Sequence, residues 1–159
     1  MIETLPFFEW LDSSLLATIS KSNGGVFAVV QMFHLLGMAM LGGMVLVGDL
    51  RLLGVLMRDI PSETVIDNTQ RWFGYGLALT LISGVFMASA VAMKLYYNES
   101  FWAKMTCLAV GIVFVYCVRR PLLSFKHSTI NPWALRGLAV TSMILWFTVA
   151  ASGRWIGFS

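Results

Sequence analysis

The sequence predicts an all-α integral membrane protein, a four-helix bundle with a short interfacial amphipathic helix at its N-terminal end. Three observations predict it. Hydrophobic residues make up 58% of the chain and charged residues only 12%, about half the charged share of an ordinary globular domain. Mean hydropathy is +0.78. Four stretches approach or exceed the roughly 20 apolar residues that cross a bilayer. None alternates polar and apolar side chains as a barrel strand does. A lipid-exposed backbone must satisfy its own hydrogen bonds, so these spans are helices. The whole of 1–159 reads as one transmembrane domain, without internal repeats or low-complexity segments.

The interfacial helix is expected over 5–20. Phe7, Phe8, Leu11, Leu15 and Ile19 recur at three- and four-residue spacing, while Glu9, Asp12 and Ser13 fall elsewhere, the pattern of a helix lying in the membrane surface. Glu3, Glu9 and Asp12 stand where a secretory signal carries basic residues, so a signal peptide is not expected here. The membrane helices are expected over 24–48, 72–97, 101–119 and 133–156. Lys94 interrupts the second near its end, Lys104 lies at the start of the third, and Arg136 and Arg154 lie near the ends of the fourth. Pro61-Ser62-Glu63 has the character of a helix start leading into the second span. The "YYNES" loop is short enough to make the second and third helices antiparallel neighbours.

Charge asymmetry predicts orientation. Arg51, Arg58, Arg71, Arg119, Arg120, Lys126 and Arg136 lie on one side; Lys21, Lys94, Lys104 and Arg154 lie on the other. The richer side is expected to be cytoplasmic, which places both termini in the periplasm of a bacterial inner membrane. The basic balance therefore reads as topology and phospholipid contact. No basic stripe with interleaved aromatics stands outside the spans, so nucleic acid is not expected as a partner. Asp49 has Arg51, Arg71 and Arg136 as candidate ion partners, beside the alternative of a solvated charge cluster.

The sequence lacks CxxC, CxxCH, HExxH, Walker A and GxGxxG elements, which excludes attached c-type haem, a zinc protease site and the common nucleotide folds. Cys107 and Cys117 are ten residues apart on one helix, about 15 Å, and read as small buried hydrophobes. His127, in the polar loop beside Lys126, reads as solvated.

His34 carries the chemistry. It lies inside "QMFHLLGMAMLGG", about ten residues from the outer end of the first span, and an intramembrane ionisable group is functional by default. A ligand, a hydrogen-bonded core histidine and a proton relay are the three readings. Counting ten residues from the outer ends of the second and third spans reaches Met87 and Gly111, and thirteen to fourteen from that of the fourth reaches the Ser142–Met143 pair. Histidine and methionine are ligands of haem iron. Glycines at 37, 84 and 111 could make room for a flat macrocycle, or could equally be helix-contact sites. Lys104 and Arg154 lie where propionates of a haem at this depth would reach, and Trp102, Trp146 and Trp155 could pack on its edge or anchor at the interface. The candidate cofactor site is thus His34 as metal ligand with Met87, Met143, Lys104, Arg154, Gly37 and Gly111, holding haem b.

His34, the "GDLRLLG" that follows it, Arg51, Arg71 and "FWAKM" with Lys104 resemble a group of small four-helix bacterial membrane proteins of largely uncharacterised function. More distantly, the layout resembles the HemJ-type protoporphyrinogen oxidases and CopD-type copper-resistance membrane domains. The resemblance implies a b-type haem held by His34 with Lys104 nearby. The chain departs from it at "VYCVRR", where Cys117 replaces a histidine found in many members of the small family. It departs again at "SGRWIGFS", which lacks the polar motif of the oxidase.

The leading expectation is a small cytochrome b, an electron-transfer or membrane-anchor subunit rather than a stand-alone enzyme. It would work between quinone and a redox partner protein, as a homo- or hetero-oligomer. The alternatives are a porphyrinogen oxidase using His34 and Lys104, and a copper-handling protein. For copper, His34 shares a helix side with Met38 and Gln31 but not with Met40. A structural subunit without cofactor is the fourth reading.

Overall fold

The computed structural model describes residues 4–124 and 131–157, and among these the regular structure is helical, with no strand. In chain order the helices are α1 (Leu5–Asp12), α2 (Leu15–Ser22), α3 (Gly24–Leu52), α4 (Ser62–Ala90), α5 (Ala92–Tyr96) and α6 (Glu99–Val113). A π-helical segment (Phe114–Arg119), α7 (Arg120–Ser124) and α8 (Pro132–Trp155) follow. Four helical stretches are long and apolar enough to cross a membrane: Gly24–Leu52, Ser62–Ala90, Glu99–Leu123 and Pro132–Trp155. This is a multi-pass membrane protein, and its exposed large side chains, such as Ile82 and Phe147 (73% and 76% exposed), suit lipid rather than water.

The boundaries follow local chemistry. The interfacial segment is two helices rather than one, because the Ser14 side chain accepts a hydrogen bond from the Ala17 amide and starts a new helix. Its apolar residues also divide. Phe8 and Leu11 are buried, whereas Phe7, Leu15 and Ile19 are exposed. Asn23 caps α3 by accepting from the Gly25 and Val26 amides, and Asn131 caps α8 through the Trp133 amide, with Pro132 in the first turn. The second span begins at Ser62, ten residues before the expected 72, as the Pro61-Ser62-Glu63 signal implied. It ends near Ala90 rather than 97, where the Ser89 hydroxyl turns back onto the Phe86 carbonyl at 2.7 Å and Val91 leaves helical geometry.

The chain divides into two compact units, one of Met1–Leu41 with Gly74–Glu99, the other of Gly42–Phe73 with Ser100–Ser159. In the first, α1 packs on α5 through Phe8 and Tyr96, ring centroids 5.5 Å apart, and Lys21 bridges α2 to Asp12 of α1 at 2.8 Å. The antiparallel contact of α3 with α4 is close enough for backbones to touch. A Cβ at Gly76 would lie 2.9 Å from the Leu41 amide nitrogen, and one at Gly37 would lie 2.8 Å from Thr80 Oγ1. Small residues at such crossings are how membrane helices gain contact area. In the second unit, Ile66, Leu123 and Leu138 form a buried cluster with Leu52, Phe114 and Leu135 around it. Phe73 meets Trp146 edge to face at 5.2 Å.

Glycine position separates packing from tolerance. Gly76→Leu drives a side chain into the α3 backbone, and overpacking of this kind costs about 1–3 kcal/mol. Gly42 faces open space, with nothing within 4 Å, so Gly42→Leu is expected to stay within about 0.5 kcal/mol of the parent. Thermal unfolding of both variants in one detergent checks the contrast.

Candidate functional site

His34 is half-buried in the first unit. Its Nδ1 lies 2.9 Å from Ser83 Oγ on α4. That hydroxyl has one proton, and its shortest contact is the Leu79 carbonyl at 2.5 Å, with the Thr80 carbonyl at 3.3 Å. Ser83 therefore donates to Leu79 and accepts from Nδ1–H of His34. A neutral imidazole held this way carries its lone pair on Nε2. Gly84 lies under the ring, since a Cβ there would come 3.3 Å from His34 Cε1. Met87 is one turn beyond Ser83 on the same face of α4 and is half-buried. Gly37 is buried, and its missing side chain is used by Thr80 and Leu79.

The other candidate residues belong to the second unit. Lys104 is half-buried, with its ammonium against Gly153, while Arg154 is exposed. Gly111 faces the Trp146 ring, whose Cζ2 would be 3.4 Å from a Cβ there. Met143 is half-buried next to Ser142 on α8. Trp146 is buried against Phe73 rather than at an interface, and Trp155 is 66% exposed.

The second unit also holds a pair that the sequence did not announce. Asp49 is fully buried, and its Oδ1 lies 2.7 Å from Nη2 of Arg119, whose side chain is 6% exposed. The Ser142 hydroxyl, also fully buried, sits beside the carboxylate. Gly48 makes the approach possible. A Cβ there would fall 2.9 Å from Arg119 Nη2 and 3.2 Å from Thr69 Oγ1.

The π segment aims the arginine. An i→i+5 turn holds one residue more than an α turn, which sets back everything after it by about 100°. In an unbroken α-helix, Val118 would face Asp49 instead. This corrects both the solvated or lipid-facing charge cluster expected at Asp49 and its candidate pairing with Arg51, Arg71 or Arg136. Arg51 donates to the Ile60 carbonyl at 2.7 Å, Arg136 lies over the Trp133 ring at 5.0 Å, and Arg71 is exposed.

The cysteines are also corrected. Cys107 is partly exposed and Cys117 is exposed. Lys126 and His127 lie outside the described residues. Among the described residues no three His, Cys, Asp or Glu side chains are grouped as a metal site.

The chain belongs to a family of unknown function (DUF6644), whose sequence profile it matches over residues 7–159. No curated protein and no solved structure matches it.

A buried ion pair that loses one partner leaves an uncompensated charge, which costs about 3–5 kcal/mol, whereas replacing both partners by apolar residues is often neutral. Asp49→Leu and Arg119→Leu are each expected to destabilise the protein by that amount. The double variant is expected to recover most of the loss. Equilibrium unfolding of the four proteins in mixed micelles measures the coupling.

Proposed function

We propose that this member of a family of unknown function is a b-type haem-binding membrane protein, an electron-transfer or membrane-anchor subunit with His34 as axial ligand. The observation that supports it is the Ser83 contact. A hydroxyl that accepts from Nδ1–H fixes the ring and its tautomer and presents Nε2 as the donor nitrogen, the arrangement in which protein histidines hold metals. The donor set of the first unit suits iron, with one imidazole and, a turn from its support, the Met87 thioether. Gly84 leaves the face of α4 under the His34 ring without a side chain.

When bound, haem would supply reversible one-electron transfer, and this chain's residues would do the rest. His34 would bind the iron, Ser83 would orient His34, and Met87 is the candidate second ligand. Gly37 and Gly111 already have packing partners that account for their size, so the reading draws on neither. Quinone and a redox partner protein are the proposed exchange partners. An inner-membrane location with the arginine-rich loops cytoplasmic is the proposed orientation.

The visible spectrum tests the reading. Purified protein supplied with haem is expected to show a Soret band that shifts on dithionite reduction, and His34→Ala is expected to abolish it. Ser83→Ala is expected to keep the band while weakening haem affinity about 10–100-fold, the usual effect of removing a ligand's supporting partner. Folded protein without a Soret band, or His34→Ala with an unchanged one, contradicts the proposal.

A further inference from the structure

Four polar side chains, one from each membrane span, come together in the second unit. Asp49 belongs to α3, Thr69 to α4, Arg119 to the π segment and Ser142 to α8. All four are buried, Asp49 and Ser142 completely. The ion pair of Asp49 Oδ1 with Arg119 Nη2 joins them, but it leaves much unsatisfied. Asp49 Oδ2, Arg119 Nε and Ser142 Oγ are buried without a hydrogen-bond partner, and Thr69 gives its proton to the Ile66 carbonyl at 2.9 Å.

A buried ion pair offsets the desolvation of its charges only when their remaining lone pairs and protons are also hydrogen-bonded. This pair fails that condition, yet two features of the fold are arranged around it. Gly48 leaves space for the guanidinium, and a π turn, a form frequent at functional sites, directs Arg119 inward. Charges inside a membrane mark ion and proton paths, and of these occupants a proton fits the groups present. The carboxylate already faces a cation, which opposes a metal ion, and no three His, Cys, Asp or Glu side chains gather among the described residues to hold one. A proton on Oδ2 would meet the unpartnered Ser142 oxygen and satisfy both atoms. The pair is also close to the span ends. Asp49 is three residues from the end of α3 and Arg119 four from the end of Glu99–Leu123, about 5–6 Å along each axis. The groups facing the pair are Thr69 from α4 and Ser142 from α8. The neighbouring charges are engaged or turned elsewhere: Arg51 donates to the Ile60 carbonyl, Arg120 lies over Tyr116 and Arg136 over Trp133, and Glu63, Asp67 and Arg71 of α4 are exposed.

We propose that Asp49 is a proton-exchange site and Arg119 its movable counter-ion. A hydronium ion from the water at this end of the spans gives its proton to Asp49 Oδ2 and leaves as water. The neutral acid then donates to Ser142 Oγ. Arg119, now a buried cation without a counter-charge, withdraws to the membrane surface, which the length of its side chain allows. The π turn supplies the movement. When its extra residue passes beyond Arg119, Val118 replaces the arginine opposite Asp49, about 100° around the axis, and an apolar side chain faces the neutral acid. Loss of the proton to water reverses each step. The site uses residues of the second unit alone, so it does not depend on the haem reading of His34.

Infrared difference spectroscopy of the full-length protein in an ester-free detergent tests it, with the aspartate carboxyls labelled with ¹³C to identify their bands. As the pH is lowered from about 9 to about 4, a protonated-aspartate band is expected that is absent from Asp49→Asn. In Ser142→Ala the same band is expected at higher frequency, because the acid has lost its acceptor. If Asp49→Asn fails to fold, the Asp49→Leu/Arg119→Leu double variant, expected to fold, gives the same comparison. Asp49→Asn also imitates the neutral acid. Modification of Arg119 by phenylglyoxal at one fixed pH, read by mass spectrometry, is expected to be several-fold faster in it than in the parent, with Arg51 unchanged as a control of folding. Aspartate bands that neither the Asp49 variants nor Ser142→Ala alter overturn the proposal in favour of a permanent structural ion pair. Equal modification of Arg119 in a folded Asp49→Asn overturns the movable counter-ion.

Discussion

Inside a bilayer a polar group has no water to fall back on, and that constraint shapes every polar contact in this protein. An unsatisfied group in an apolar medium costs several kcal/mol, so most polar groups in the spans find a partner on their own helix or the next, while Thr80 Oγ1 and Trp146 Nε1 stay buried without a hydrogen-bond partner. Ser83 does both at once, giving its proton to Leu79 of its own helix and its lone pair to His34 of α3. Asp49 is matched with Arg119 at 2.7 Å. The hydroxyls of Ser89, Thr106, Thr148 and Ser152 turn back onto carbonyls three or four residues earlier. Polar residues are thus tolerated in the spans by local back-bonding and by a few cross-helix partnerships.

Those partnerships require close helices, and glycine supplies the closeness. Gly37 and Gly76 bring α3 and α4 to backbone contact, and the same antiparallel register sets His34 opposite Ser83. Gly48 plays the matching part in the second unit, where its missing side chain admits the Arg119 guanidinium. Three small residues therefore determine where an imidazole and a carboxylate meet their partners. A larger residue at any of them would act on a polar contact as well as on packing.

The sequence showed the architecture readily and the partners poorly, for physical reasons. Helix type, span number and the early start at Pro61-Ser62-Glu63 are consequences of length, apolarity and local capping, all of which act within a few residues. His34 was visible as a histidine in an apolar run. Its partner was not, because Ser83 is one hydroxyl in "LISGVF" and only the register of α3 against α4 singles it out.

Arg119 was hidden by a different cause. Helical counting assumes 3.6 residues per turn, and the π turn over Phe114–Arg119 breaks that count just before the residue in question. The two adjacent arginines accordingly part company, Arg119 toward Asp49 and Arg120 over the Tyr116 ring at 4.7 Å. The glycines at 37 and 111, which could have made room for a flat ligand, instead have neighbours that fill the space.

The tautomer of His34 joins the fold to the proposed function, because a ring held through Nδ1–H would present Nε2 as its donor nitrogen. Solid-state ¹⁵N NMR of histidine-labelled protein reports it directly, in a His127→Gln background that leaves one histidine in the chain. The account predicts that Nδ1 carries the proton, and an Nε2 resonance that shifts when haem is added. A ring protonated on Nε2 alone, or an Nε2 resonance indifferent to haem, would contradict it.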